Sequence, residues 1–169
     1  DPQPLQINGY TCIAQHRQCN DTGGLVIYLN DKFNYKLLNI YKKCNTWEGL
    51  FIEISGGGLN KNVVVGNIYR PPRVNVDDFK MFMDEFTPIV KKLSKSKSEV
   101  LFTGDFNINL LKIHRDSVVS DFLELMTSHG FFPKITLPTR FSNTRATLID
   151  NIYCKLSKEY LNRSSGIYT

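Results

Sequence analysis

The sequence predicts an α/β or α+β domain in which mixed sheets pack between helices. Two features of the pattern carry that expectation. β-forming runs alternate with amphipathic helical stripes, and two of the runs flank a glycine-rich turn that reads as a hairpin. The composition agrees, with 41% hydrophobic and 22% charged residues, far from the disordered class. At 169 residues the chain fits one domain and can bury a core without disulfides or structural zinc.

The elements follow in order. Residues 25–30, Leu-Val-Ile-Tyr-Leu-Asn, follow Gly23-Gly24 and read as a buried strand. Residues 47–54 partly alternate, and Val63, Val64 and Val65 make residues 62–69 another strand. Ser55-Gly56-Gly57-Gly58-Leu59-Asn60 between them is the turn. A helix comes next. Asn75 suits its N-cap, Asp77 and Asp78 its first turn, and Phe79, Phe82, Met83, Phe86, Ile89, Val90 and Leu93 form one core-facing stripe. Pro88 is expected to kink or split it. Residues 99–103 form a short buried strand that runs into Gly104. A second helix spans about 117–128, with Val118, Val119, Phe122, Leu123 and Met126 inward and Gly130 as its stop. Residues 148–153 form a last strand.

Lys and Arg number 21 against 16 Asp and Glu, a formal charge of +5. That excess favours a polyanion such as nucleic acid and serves solubility equally well. Cys12, Cys19, Cys44 and Cys154 fit no close-spaced zinc pattern. We read them as mostly buried free thiols of an intracellular protein. No apolar run has the length of a membrane span. The chain opens on Asp1-Pro2-Gln3-Pro4 and stops at Thr169 without a closing element, so a partial domain is expected.

Three segments carry candidate chemistry. In Val100-Leu101-Phe102-Thr103-Gly104-Asp105-Phe106-Asn107 a buried strand drives to a surface edge. If that edge is extended, Asp105 and Asn107 share a face, where a carboxylate beside an amide can hold Mg²⁺, orient a water and bond a phosphate oxygen. The alternative is a strand ending in an Asx-type turn. Asn67-Ile68-Tyr69-Arg70-Pro71-Pro72 ends a second strand, with a phenol and a guanidinium suited to phosphate, or a surface tyrosine beside a rigid turn. The third segment runs from Pro138-Thr139-Arg140 to Thr147-Leu148-Ile149-Asp150-Asn151-Ile152. Asp150 sits among apolar neighbours, where a carboxylate needs a partner: a histidine, a metal ligand or a backbone amide. The run Lys91-Lys92-Leu93-Ser94-Lys95-Ser96-Lys97 is a further DNA candidate, or a solvated helix end.

Taken in order with Gly23-Gly24-Leu25-Val26-Ile27-Tyr28, these motifs resemble the endonuclease domains of LINE-type, non-LTR retrotransposons, across roughly residues 9–155. Those domains belong to the endonuclease/exonuclease/phosphatase superfamily, with abasic-site endonucleases, deoxyribonuclease I and inositol phosphatases. The resemblance implies a DNase I-like four-layer α/β sandwich, two mixed sheets face to face with helices outside, and a site at one end. It implies that Asp105 orients or deprotonates the attacking water and holds metal weakly. Asn107 would position the scissile phosphate, Tyr69 would contact it, and Asp150 would orient a catalytic histidine. Thr139 and Arg140 would lie near DNA, and Arg70 would reach a phosphate.

What else the resemblance implies is Mg²⁺ (or Mn²⁺) as cofactor, double-stranded DNA as partner, fusion to a reverse transcriptase, a monomer, and DNA nicking in the nucleus to prime reverse transcription. The alternatives are a non-catalytic remnant that binds DNA weakly, or a phosphatase of the same superfamily. The family's opening Asn strand and metal-binding Glu have no match before Gly9. Its closing Ser-Asp-His has no match after Asp150, and His16, His114 and His129 occupy no matching place. A domain incomplete at both termini, inactive by itself, is therefore expected.

Overall fold

In the computed structural model, residues 4–16, 23–40, 46–72, 76–142 and 144–155 are described. The order is β1 (Tyr10–His16), β2 (Gly24–Asn30), β3 (Phe33–Leu37), β4 (Glu48–Gly56), β5 (Val63–Tyr69), α1 (Val76–Ser94) and β6 (Glu99–Asp105). A 3-10 turn (Leu110–Lys112), α2 (Ser117–Ser128), β7 (Phe132–Pro133), β8 (Arg140–Ser142), β9 (Arg145–Thr147) and β10 (Asp150–Lys155) follow.

Six strands form one mixed sheet in the order β3-β4-β5-β6-β10-β7. The predicted hairpin is β4–β5, antiparallel from Glu48↔Tyr69 to Ile54↔Val63. β5 and β6 are parallel, which requires a crossover, and α1 supplies it. β10 lies antiparallel to β6, and β7 to β10. β1–β2 and β8–β9 are separate two-stranded sheets.

Each face of the large sheet has its own core. On one side Trp47, Phe51, Val64, Ile68, Val100, Phe102 and Tyr153 meet the stripes of α1 and α2. Its centre is aromatic: Phe82 stacks on Phe86 at 5.2 Å between centroids, and Phe86 meets Phe102 edge-on at 5.4 Å. On the other side Leu50 and Ile52 pack against Ile13, Leu25 and Leu29 of the β1–β2 ribbon. The architecture is an α/β sandwich, with both helices on one side of the large sheet among the described residues.

The expected stripe of α1 is buried from Phe79 to Leu93, with Met83 partly so. Pro88 does not split the helix, which runs unbroken through 19 residues. The reason is position: Pro88 and Asp84, whose carbonyl loses its N–H partner, are both exposed, so water meets the freed group. Asn75 lies outside the described residues. Asp116 caps α2, its carboxylate accepting from the Val118 N–H at 3.1 Å.

β2 departs from the fully buried reading. Only Leu25 and Leu29 are buried and Val26 is 37% exposed, because the strand belongs to a ribbon that is covered on one face. The last strand starts two residues later than expected, at Asp150. β1, β3, β7, β8 and β9 were not foreseen. β3 is an edge strand with four of its five residues exposed, so it carries no apolar run to read. Cys12 is half-buried and Cys154 buried, both as free thiols; Cys19 and Cys44 lie outside the described residues. No helix among the described residues is long and apolar enough to cross a membrane.

Candidate active site at the ends of three central strands

β5, β6 and β10 finish or begin at one end of the sheet in register. Tyr69 lies opposite Asp105, and Asp105 opposite Asp150. Glu48, the first residue of β4, lies opposite Tyr69 on its other side. Residues paired in this way point to the same face, and direct antiparallel neighbours have Cβ atoms about 4.5–5.5 Å apart. Glu48, Tyr69, Asp105 and Asp150 therefore form one row. It lies on the face whose lower part holds Leu50 and Ile52, and Tyr69 packs against that cluster.

Gly104 is what lets β6 reach this row beside β5. Its φ is +132°, and a Cβ there would lie 1.9 Å from the Ile68 carbonyl oxygen. The strand then turns. Asp105 accepts from the Asn107 N–H at 2.9 Å, an Asx-type turn, and Asn107 takes φ of +48°. The extended geometry that would have put the two side chains on one face is thus replaced by a turn. It still joins them, because Asn107 Nδ2 donates to the Arg70 carbonyl at 2.7 Å, next to Tyr69. The Arg70 N–H donates to the Asp105 carbonyl at 2.9 Å, and the Phe106 N–H to that of Ile149 at 3.0 Å.

Asp150 is held from the other side. Thr139 Oγ1 donates to Asp150 Oδ2 at 2.6 Å, and accepts from the Asp150 and Ile149 N–H groups at 3.3 and 3.4 Å. Thr139 thus anchors the carboxylate. The next residue, Arg140, is exposed at the start of the β8–β9 hairpin, close enough for its charge to act on Asp105. Burial pushes the Asp105 carboxyl above the ordinary range. The Asn107 N–H opposes that shift, the neighbouring Asp150 adds to it, and Arg140 opposes it. A carboxyl raised in this way is a better proton acceptor once ionised.

Arg70 departs from its expected role. Its side chain is 5% exposed, on the helix side of the sheet, and does not reach outward to a phosphate. The guanidinium lies over the rings of Phe79 and Phe82 at 5.7 and 5.3 Å, and Nη1 donates to the Phe106 and Asn107 carbonyls at 3.4 Å each. The lysine run sits far from the row. α1 ends where β6 begins, so Lys91, Lys92, Lys95 and Lys97 are exposed at the opposite end of the sheet, where the Lys155 ammonium bonds the Ser94 carbonyl. His114 is exposed, and His129 ends α2 with its ring nitrogen 2.8 Å from the Leu125 carbonyl. The side chain of His16 lies outside the described residues.

Two residues near the row were not foreseen. Glu48 is set there by register, and its sequence signal was only that it opens an apolar strand. Asn109 accepts from the Leu111 and Leu148 N–H groups at 3.3 and 3.0 Å, tying the turn after β6 to the entry of β10. Its placement two residues after Asn107 was visible; its partner, 39 residues on, was not. Among the described residues no three His, Cys, Asp or Glu side chains converge to hold a metal. Glu48, Asp105 and Asp150 share the row without converging as ligands, and fall short of an all-protein metal cage.

No family model and no curated protein matches the chain. Solved structures do. The endonuclease domain of TRAS1, a telomere-specific non-LTR retrotransposon, is similar at a TM-score of 0.67 and 14% identity, over 92% of this chain and 68% of that one. D. rerio TDP2, complexed with single-strand DNA product, is similar at 0.58 and 13%, over 89% and 64%. The Bacteroides thetaiotaomicron mannosyl-6-phosphatase Bt3783 is similar at 0.60 and 15%, over 89% and 64%. The chain thus spans 64 to 68% of the length of these three structures. Together with the mixed sheet, its flanking helices and the second ribbon, these likenesses show that this chain has the same α/β-sandwich fold as the three structures.

Proposed function

We propose that this chain is part of an endonuclease domain of a non-LTR retrotransposon protein, one that nicks double-stranded DNA by phosphodiester hydrolysis to leave a 3′-hydroxyl for reverse transcription. The observation that carries this reading is the row of Tyr69, Asp105 and Asp150 at one sheet end, with Asn107 tied to it. In this reading Asp105 holds and deprotonates the attacking water, helped by the raised proton affinity of its carboxyl. The Asn107 amide, fixed by the Arg70 carbonyl, sets the phosphate, and the Tyr69 hydroxyl donates to one of its oxygens. Asp150, anchored by Thr139, would orient a histidine contributed from outside the described residues. Asp105 would contribute to holding Mg²⁺ or Mn²⁺, which would polarise the phosphate, with the other ligands supplied from outside the described residues.

Beside the row stands the β8–β9 hairpin, with Arg140, Arg145 and the 74% exposed Phe141. Exposed cations and an aromatic ring on a projecting ribbon suit a long polyanion better than a small phosphoester. That favours DNA over the kind of substrate named for the Bacteroides phosphatase, and it is the role proposed for Arg140. Monomeric action, in the nucleus and linked to a reverse transcriptase, belongs to the same proposal.

Supercoiled-plasmid nicking with Mg²⁺ is the test, run on this chain, on a longer polypeptide that carries it, and on Asp105→Ala in both. We expect nicking by the longer protein, a loss of at least about 10²-fold on Asp105→Ala, and none by the 169-residue chain alone. Nicking that survives Asp105→Ala removes the site assignment. Hydrolysis of mannose 6-phosphate without nicking would replace the nuclease reading with a phosphatase.

A further inference from the structure

We propose that Arg70 is the positioning residue of this site, its buried guanidinium clamping the turn that carries Asp105 and Asn107. The inference rests on the nuclease reading for its purpose and on geometry for its content. Arg70 engages all three residues of the turn. Its N–H donates to the Asp105 carbonyl at 2.9 Å, its side chain to the carbonyls of Phe106 and Asn107, and its own carbonyl accepts from the Asn107 amide at 2.7 Å. One residue at the exit of β5 thus holds the exit of β6 by main chain and side chain together.

Asn107 has φ of +48°, which an asparagine adopts readily, so it is the bonds from Arg70 rather than backbone strain that fix the turn. The Phe106 carbonyl is buried and that of Asn107 partly so, where an unmatched acceptor is costly, and one guanidinium nitrogen, Nη1, donates to both. Beneath it the Phe79 and Phe82 rings fix the cation's plane from the first turns of α1. Lysine also has several donors on one nitrogen, but it has no planar face to lie over the Phe79 and Phe82 rings while that nitrogen bonds the two carbonyls. The identity of residue 70 therefore determines where the water-activating carboxylate and the phosphate-binding amide point, although its side chain touches neither water nor phosphate.

The test compares amide hydrogen exchange, residue by residue, in the wild-type chain, Arg70→Lys and Phe79→Leu. Phe79→Leu removes one ring of the platform and keeps the guanidinium. The expected result is local. The Arg70, Phe106 and Asn107 amides exchange about tenfold faster in Arg70→Lys, and less so in Phe79→Leu, while Val64 and Phe102 keep their protection. In a longer, nicking-competent form Arg70→Lys lowers kcat and leaves KM for DNA unchanged. Unchanged exchange at the turn in both variants overturns the proposal. So does an equal rise at Val64 and Phe102, which would make Arg70 a general core residue. If Arg70→Lys does not fold, Phe79→Leu decides alone. If no form nicks DNA, the nuclease reading fails and the exchange comparison still decides the clamp.

Discussion

At Asp105 burial raises the carboxyl's proton affinity, and the Asn107 N–H and the Arg140 charge only partly offset it. The consequence for stability has a definite sign. A carboxyl whose folded-state pKa lies above its unfolded value of about 3.9 contributes stability below that value and loses it as pH rises through the folded-state pKa. Asp105→Asn keeps the acceptor for the Asn107 N–H and removes the charge. It is expected to raise Tm at about pH 7 by up to a few degrees and to leave it unchanged at about pH 3, where Asp105 is protonated folded and unfolded. An equal rise at both pH values would count against a half-buried, ionised Asp105. Tyr69, Asp105, Asn107 and Asp150 could be singled out in the sequence because they stand in motifs whose order resembles a known endonuclease family. Arg70 could not be placed. An arginine after a strand and before Pro71-Pro72 reads as a surface residue, and its burial depends on two rings of a helix that folds back over it.

Among the elements, α1 carries an internal conflict that the fold tolerates. Pro88 removes one hydrogen bond inside a 19-residue helix, on the side facing water. Pro88→Ala restores that bond and is expected to stabilise the domain by roughly 1–2 kcal/mol, less than the full helix penalty because proline also restricts the unfolded chain. Chemical denaturation should show a higher midpoint at unchanged slope; a lower midpoint would mean that the helix is built around the proline. The helices and the β4–β5 hairpin could be read from sequence because their stripes and turn residues are local. β7, β8 and β9 are two or three residues long and too short to show a period. Among the described side chains of β1 only Ile13 is buried, so the strand carries no continuous apolar run to read.

At the scale of the molecule, the candidate site and the lysine run occupy opposite ends of β6, a strand of seven residues that spans about 20 Å. On the nuclease reading, changing Lys91, Lys92, Lys95 and Lys97 together to Gln should leave DNA affinity nearly unchanged. Arg140→Gln, by contrast, should weaken binding and lower the salt slope by about one. Affinity that falls mainly with the lysines would move the DNA to the other end of the domain. Strand order was not readable, because nothing local in residues 63–69 or 99–105 says that these strands run parallel and side by side. The same order has a consequence during synthesis. Tyr69, Asp105 and Asp150 become neighbours only through pairing across the sheet. About 45 residues separate the last two, so at about 5–20 residues per second a ribosome needs several seconds after Asp105 to deliver Asp150. A nascent chain stalled anywhere in that interval has an exposed β6 edge and an Asp105 without its cross-strand neighbour, so the row is assembled only near the end of translation of these residues.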